Sequence, residues 1–182
     1  MANFKDHYNT EVKPKLMKEL NIKNTMAVPE VKKIIINVGA GEAVTSKGVL
    51  EKIQEQLALI AGQRPVITKA RKSVSAFKIR KGLPIGVKVT LRGKNMYNFL
   101  EKLIRIVIPR LRDFRGIEES NVDSFGNLNL GFTEQIIFPE IEFDKIDKLR
   151  GLQVTVVTNS MDRVRGKSLF EALGVPFKKK IE

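Results

Sequence analysis

The sequence predicts an α+β fold: a split βαβ antiparallel sheet of the ferredoxin-like kind with helices on one face, plus an N-terminal helix and a C-terminal strand-helix extension. Three observations lead there. Hydrophobic periods follow the order strand, helix, strand, strand, helix, strand, which is the order of a split βαβ unit. The strands alternate apolar and polar residues instead of running continuously apolar, so each has one face for a core and one for water. No repeat, low-complexity tract or long linker divides the 182 residues, which predicts a single domain, 1–182, that buries about two thirds of its unfolded surface.

Phe4, Tyr8, Val12, Leu16 and Leu20 recur every four residues, the spacing of one helical stripe laid against a core. Pro14 should kink this helix or make it start again near Thr10, because proline lacks an amide hydrogen and crowds the preceding turn. Val28-Pro29 ends it. Val31 to Val38 then alternates as a strand, with Ile34, Ile36 and Val38 on one face and Ile35 and Asn37 on the other. Past Gly39-Ala40-Gly41, Ser46 is a candidate cap for a helix that buries Val49, Leu50, Ile53, Leu57 and Ile60 and stops at Gly62. A second strand spans Pro65 to Lys69. A third, Ile85 to Arg92, sets Val87, Val89 and Leu91 against Lys88, Thr90 and Arg92. A helix from about Lys94 to Ile108 turns Tyr97, Leu100, Ile104 and Ile108 inward and is halted by Pro109. Leu128 and Leu130, alternating with Asn127 and Asn129, give the fourth strand. Leu152 to Thr158 adds another strand, and Asp162 to Leu173 a last helix closed by Gly174.

Charge is unevenly laid along this frame. Between Gln56 and Leu100 there are ten lysines and arginines and no aspartate or glutamate, so this stretch carries +10 of a formal net +13. Uncompensated like charge destabilises a compact surface, which points to an acidic partner. Arg71, Lys72, Lys78, Arg80 and Lys81 beside Ser73, Ser75, Phe77, Gly82 and Pro84 read as a long exposed loop with one aromatic at its tip. A phosphate backbone suits such a strip, since each neutralised phosphate releases a counterion. From Asp113 to Asp147 the sign reverses, with nine acids against Arg115 and Lys145. That stretch reads as a solvated edge or as a contact for a basic protein.

Several function classes are excluded or weakened. Cysteine is absent and His7 is the only histidine. That removes disulfides and thiolate chemistry and leaves no multi-histidine metal site or conventional Ser-His-Asp triad. No metal or cofactor is expected. The carboxylates form no confined acid-base pair, and an enzyme is not expected. No apolar run approaches the roughly 20 residues that cross a bilayer, and the N-terminus has no signal-like core, which suits a soluble protein of the cytoplasm. Gly39-Ala40-Gly41 falls between a strand and a helix as a nucleotide-binding turn would, but Val44 occupies the third glycine position. A nucleotide-binding enzyme using this turn is the alternative function. Gly166-Lys167-Ser168 imitates the end of a phosphate-binding loop, yet Met161 stands where the first glycine belongs and a helix pattern surrounds it. Arg163, Arg165 and Lys167 then form a solvated helix face or a second, smaller phosphate contact.

Five stretches together carry a family resemblance. They are Lys33-Ile34-Ile35-Ile36-Asn37-Val38-Gly39-Ala40-Gly41-Glu42-Ala43, Ala61-Gly62-Gln63-Arg64-Pro65, Pro84-Ile85-Gly86-Val87-Lys88-Val89-Thr90-Leu91-Arg92-Gly93, Arg112-Asp113-Phe114-Arg115-Gly116, and Asn129-Leu130-Gly131 through Glu134-Gln135 to Ile137-Phe138-Pro139-Glu140-Ile141. In this order and spacing, end to end, the chain resembles the bacterial large-subunit ribosomal protein L-five family. The resemblance implies a structural protein of the large ribosomal subunit that attaches 5S ribosomal RNA to the central protuberance. It implies 5S RNA contacts at Asn37, Gln63 and Thr90, to which the basic strip adds Arg64, Lys88 and Arg92. It implies that the loop, with Lys69, Arg71, Lys72, Ser75, Phe77, Lys78, Arg80 and Lys81, reaches transfer RNA in the peptidyl site. Large-subunit ribosomal RNA is a further partner. The family's bridge to the basic small-subunit protein S-thirteen offers a partner for Glu134, Glu140, Glu142 and Asp144. Asn37 and Thr90 lie opposite the apolar faces of their strands, where neutral hydrogen-bonding groups between Lys88 and Arg92 suit ribose and base edges between phosphates.

Overall fold

Five strands, β1 (Val31–Gly39), β2 (Val66–Lys69), β3 (Pro84–Leu91), β4 (Leu128–Phe132) and β5 (Leu152–Thr158), form an antiparallel sheet in the order β2-β3-β1-β5-β4. Among the described residues the α-helices are α1 (Phe4–His7), α2 (Lys13–Glu19), α3 (Val49–Ala61), α4 (Gly93–Lys102) and α5 (Arg163–Ala172). This is a computed structural model, and it describes residues 4–44, 48–111, 114–142 and 146–178. The chain gathers into two compact units. One comprises Met1–Ile34, Arg92–Leu130 and Thr155–Glu182, the other Ile35–Leu91 and Gly131–Val154.

The α+β class stands. Leu128–Phe132 does not lie beside β1; that place belongs to β5, and β4 forms the outer edge. Neighbour order in a sheet is set by long-range pairing, not by order along the chain. Here β5 is the longer strand, seven residues against five, and it buries Leu152, Val154 and Val156.

In the first unit the residues from Phe4 to Glu19 are helical throughout. Phe4, Tyr8, Val12 and Leu16 are buried, while Leu20, past the helix end, is half-buried. Pro14 neither breaks the run nor restarts it at Thr10. A π-helical turn, Tyr8–Val12, precedes α2, and Pro14 sits in the first turn of α2. Lys13 N donates to Tyr8 O five residues back, and the widened turn makes room for a ring that would otherwise crowd the carbonyl four residues earlier. Tyr8 is fastened by its hydroxyl, which donates to Pro29 O at 2.8 Å. Burial, with Glu30 nearby, raises its ionisation far above the ordinary tyrosine range.

The helix that begins as α4 also widens into a π turn, Leu103–Val107, and ends in a 3₁₀ turn, Ile108–Arg110. Pro109 therefore lies inside the last turn instead of beyond the helix end, in the first turn of the 3₁₀ segment. Tyr97, Leu100, Ile104 and Ile108 are all buried. Asp162 caps α5 by accepting from Val164 N at 3.3 Å.

The second unit packs α3 against β3 and β2. Leu50, Ile53, Leu57 and Ile60 form its buried face, and Gly62, at φ +64°, ends it with its N–H on Ala58 O. The helix starts behind Gly48, which supplies no side-chain cap; Ser46 lies outside the described residues. β2 and β3 pair with Val66 opposite Lys88, Ile67 opposite Val87 and Thr68 opposite Gly86.

Gly166 tests packing against propensity. A Cβ there would lie 2.5 Å from Gly126 Cα and from Gly126 O. Alanine in a helix is intrinsically better than glycine by about 1 kcal/mol, but overpacking against backbone costs about 1–3 kcal/mol or more. Gly166→Ala is expected to lower the urea midpoint at unchanged slope; a raised midpoint would refute the close approach.

Candidate nucleic-acid interface

The alternation of β1 and β3 sorts their side chains by chemistry. On β1, Asn37 is exposed between Ile36 and Val38, which are buried. On β3, Lys88 is exposed and Thr90 half-buried, while Val87, Val89 and Leu91 are fully inside. Successive residues of a strand point to opposite faces, so the polar set is forced outward by the burial of the apolar one. The pairing of β2 with β3 adds Val66, 66% exposed, beside Lys88 on the same face. Gly86 shares this face, and any Cβ there would stand 2.8 Å from Val38 O and 3.0 Å from Thr68 Oγ1. Only glycine lets the strands approach this closely.

Gln63 and Arg64 reach the same region through the left-handed turn at Gly62, and both are exposed. Gln63 Nε2 donates to Thr90 O at 3.4 Å, a long bond that still ties the helix exit to β3. Gln54 Nε2 donates to Pro65 O at 2.6 Å and fixes the connection into β2. Arg64 rims a groove of about 460 Å³ with Glu51, Gln54, Glu55, Ala58 and Ile67. Arg92, in the other unit, is exposed in extended conformation immediately before α4.

Two carboxamides, a hydroxyl and flanking cations make a surface with both donors and acceptors in its neutral part. Its cations are available. Among the described residues, none of the ten lysines and arginines between Gln56 and Leu100 is ion-paired with a carboxylate, whereas Lys52, Arg105, Lys148, Arg150 and Lys167 all are.

The basic loop is more ordered than its composition predicts. Ala70 N donates to Leu83 O at 2.8 Å and Gly82 N to Ala70 O at 2.9 Å. Farther out, Val74 and Ile79 exchange both backbone bonds, at 2.8 and 3.1 Å. The tip is a 3₁₀ turn, Ser75–Phe77, closed by Lys78 at φ +54°. Phe77 is 72% exposed at that tip, and Lys69, Arg71, Lys72, Ser75, Lys78, Arg80 and Lys81 are exposed along the hairpin.

In the acidic stretch Glu134 is half-buried, and Glu140 and Glu142 are exposed; Asp144 lies outside the described residues. The two phosphate-loop imitations are otherwise employed. Ala40 N donates to Ile85 O at 2.9 Å, and Gly41 opens a 3₁₀ turn, so no α-helix N-terminus follows the glycines directly. Lys167 lies within α5 and bonds Glu119 at 2.5 Å, which raises its pKa, and Ser168 Oγ donates to Val164 O. Arg163 donates to Glu119 O, leaving Arg165 exposed on that helix.

The family model described as Ribosomal protein L5 matches residues 24–80, and that of the family's C-terminus matches residues 84–177. The chain belongs to the ribosomal protein L5 family. The Large ribosomal subunit protein uL5 of Roseiflexus sp. (strain RS-1) is 52% identical over 178 residues, covering 98% of this chain and 99% of that one. The protein of the same name from Symbiobacterium thermophilum is 53% identical over 177 residues, 97% and 98% of the two chains. That of Dictyoglomus thermophilum is 51% identical over 179 residues, 98% and 100%.

One cluster in this L5-family chain has no counterpart in the pattern of its sequence. Arg150 is buried, its guanidinium held by Glu42 at 2.6 Å and Asp147 at 2.9 Å, with Lys148 on Glu42 at 2.8 Å. Nothing in local periodicity marks an arginine for burial; the only hint is its place among acids. The bond from Arg150 holds the Asp147 carboxyl down at about 2, and Lys148 and Arg150 lower Glu42. A depressed carboxylate stabilises the fold fully above its unfolded pKa, about 3.9 for aspartate, and that contribution is lost as pH falls through the folded value. Carbon-13 titration of the Asp147 carboxyl is expected to give a midpoint near 2. A midpoint near the unfolded value would mean the ion pair does not form.

Proposed function

We propose that this protein is a structural constituent of the large ribosomal subunit, resident in the cytoplasm, that binds 5S ribosomal RNA through the outer face of β1 and β3. One observation carries the proposal: Asn37, Lys88 and Thr90 stand outside the core while every alternate neighbour is buried. The full-length likeness to large ribosomal subunit proteins supports it. On this face Lys88 and Arg64 meet phosphates, and Arg92, immediately before α4, is a further RNA contact. Asn37, Gln63 and Thr90 take ribose hydroxyls and base edges. RNA displays these groups where its helices are shallow or its strands unpaired, so cations supply affinity and neutral groups supply register.

The hairpin between β2 and β3 is the second RNA contact. Its backbone ladder presents unpaired cations and the bare Phe77 ring, a combination suited to phosphates and an exposed base, and its target is transfer RNA in the peptidyl site. The acidic segment with Glu134, Glu140, Glu142 and Asp144 meets a basic protein, small-subunit protein S-thirteen, in a bridge between subunits. Large-subunit ribosomal RNA completes the set of partners. No step of chemical catalysis belongs to this function.

Affinity for 5S RNA is expected to fall by about 10³-fold or more between 50 and 200 mM salt if six or more phosphates are neutralised. Lys88→Gln should lower the salt slope by about 1. Asn37→Ala and Thr90→Ala should each weaken binding by several-fold, about 1 kcal/mol per lost hydrogen bond, with circular dichroism unchanged. Filter binding checks all three, and unchanged affinity in both neutral variants would refute the face. Arg80→Gln with Lys81→Gln is expected to reduce cross-linking to peptidyl-site transfer RNA while leaving 5S affinity intact.

A further inference from the structure

Arg150 is the one charged residue that is buried among the described residues, and its side chain is 7% exposed. A buried guanidinium requires anionic partners and filled donors. Glu42 Oε1 accepts from Nε, Asp147 accepts from both terminal nitrogens at 2.9 and 3.3 Å, and Lys148 O accepts from Nη1 at 3.4 Å. The Arg150 amide donates to Gln135 Oε1 at 3.1 Å, and Gln135 Nε2 donates to Lys148 O at 3.1 Å and to Gln56 Oε1 at 3.2 Å. Lys52 of α3 approaches Asp147 at 3.6 Å.

These bonds close a loop at its base. Its beginning, at Gln135, is tied to its end at Lys148 and Arg150, and the end is tied to α3 and to the turn after β1. Inside the loop Phe138 and Ile141 are buried, with the Phe138 ring edge-on to Phe132 at 6.0 Å. Glu140 and Glu142 lie on the exposed side of the same segment, and Glu134 stands beside Gln135.

We propose that Arg150 is the positioning residue of this acidic segment: by fastening 135 to 148–150 it presents Glu134, Glu140 and Glu142 as a preformed array for a basic protein. The inference rests on the reading that the segment docks such a protein. Preorganisation matters here because carboxylates on a loose loop would have to be ordered at the moment of binding, which weakens association. The fork geometry matters too. Lysine cannot bond two carboxylates and a carbonyl from one planar group.

The test uses full-length Arg150→Met, Arg150→Lys and Glu42→Gln, with Glu140→Lys/Glu142→Lys as the charge-reversal reference. Amide hydrogen exchange is read across 134–142, association is read between reconstituted large subunits and small subunits, and 5S RNA affinity is measured in parallel. Arg150→Met should speed exchange in 134–142 by about tenfold and weaken subunit association about fivefold, with 5S affinity within about twofold. Arg150→Lys should not restore the slow exchange. Glu42→Gln, which removes one surface partner, should act in the same direction with smaller size, and it carries the test if Arg150→Met fails to fold. Unchanged exchange overturns the proposal. So does faster exchange with normal association, provided the charge-reversal variant does weaken association. If charge reversal also leaves association unchanged, the docking reading itself fails, and the positioning role fails with it.

Discussion

The structure depends on the two-sidedness of β1 and β3. Ile34, Ile36 and Val38 on one strand and Val87, Val89 and Leu91 on the other are all buried, and their burial is worth about 1.5–3 kcal/mol for each large side chain. With period two, a slip of one residue would exchange these groups for Asn37, Lys88 and Thr90. No hydrogen bond to RNA could offset that loss before RNA arrives. The register is therefore set by the core, and the polar face is its geometric consequence.

Charge is partitioned just as sharply. Outside the acid-free stretch several cations are absorbed by the protein itself, as Arg150 is by Glu42 and Asp147, Lys167 by Glu119 and Arg105 by Glu101. Those inside it remain without carboxylate partners among the described residues. Exposed pairs such as Lys167–Glu119 and Arg105–Glu101 contribute little to stability, so apart from the buried Arg150 cluster the pairing has small energetic weight for folding. Its weight falls on binding, where an unpaired lysine exchanges water and a condensed counterion for a phosphate without first breaking a salt bridge.

Much of this was legible in the residues. The stripe Phe4, Tyr8, Val12, Leu16, the left-handed stop at Gly62 and the outward Asn37 all follow from local period and backbone preference, which are properties of neighbours along the chain. What escaped depends on distant partners. The place of β5 beside β1 rests on contacts such as Asn159 N to Glu30 O at 3.2 Å, and its edge neighbour on Thr155 Oγ1 to Asn129 Oδ1 at 2.8 Å. The π turns before Pro14 and Pro109 are local adjustments that keep a buried stripe in line, and a proline alone does not reveal them. The hairpin in the basic loop needs a left-handed Lys78, a conformation lysine seldom adopts. The outward face of the candidate site was thus readable from sequence, whereas the support behind the acidic segment was not, because a buried arginine looks like any surface arginine until its carboxylates are located.

The most direct measurement is amide chemical-shift mapping of the full-length protein titrated with 5S RNA. The account predicts that Asn37, Gln63, Lys88 and Thr90 shift together and saturate at one equivalent, with the acidic segment from Glu134 to Glu142 left in place. Saturating shifts confined to that segment, with the outer residues of β1 and β3 unmoved, would contradict it.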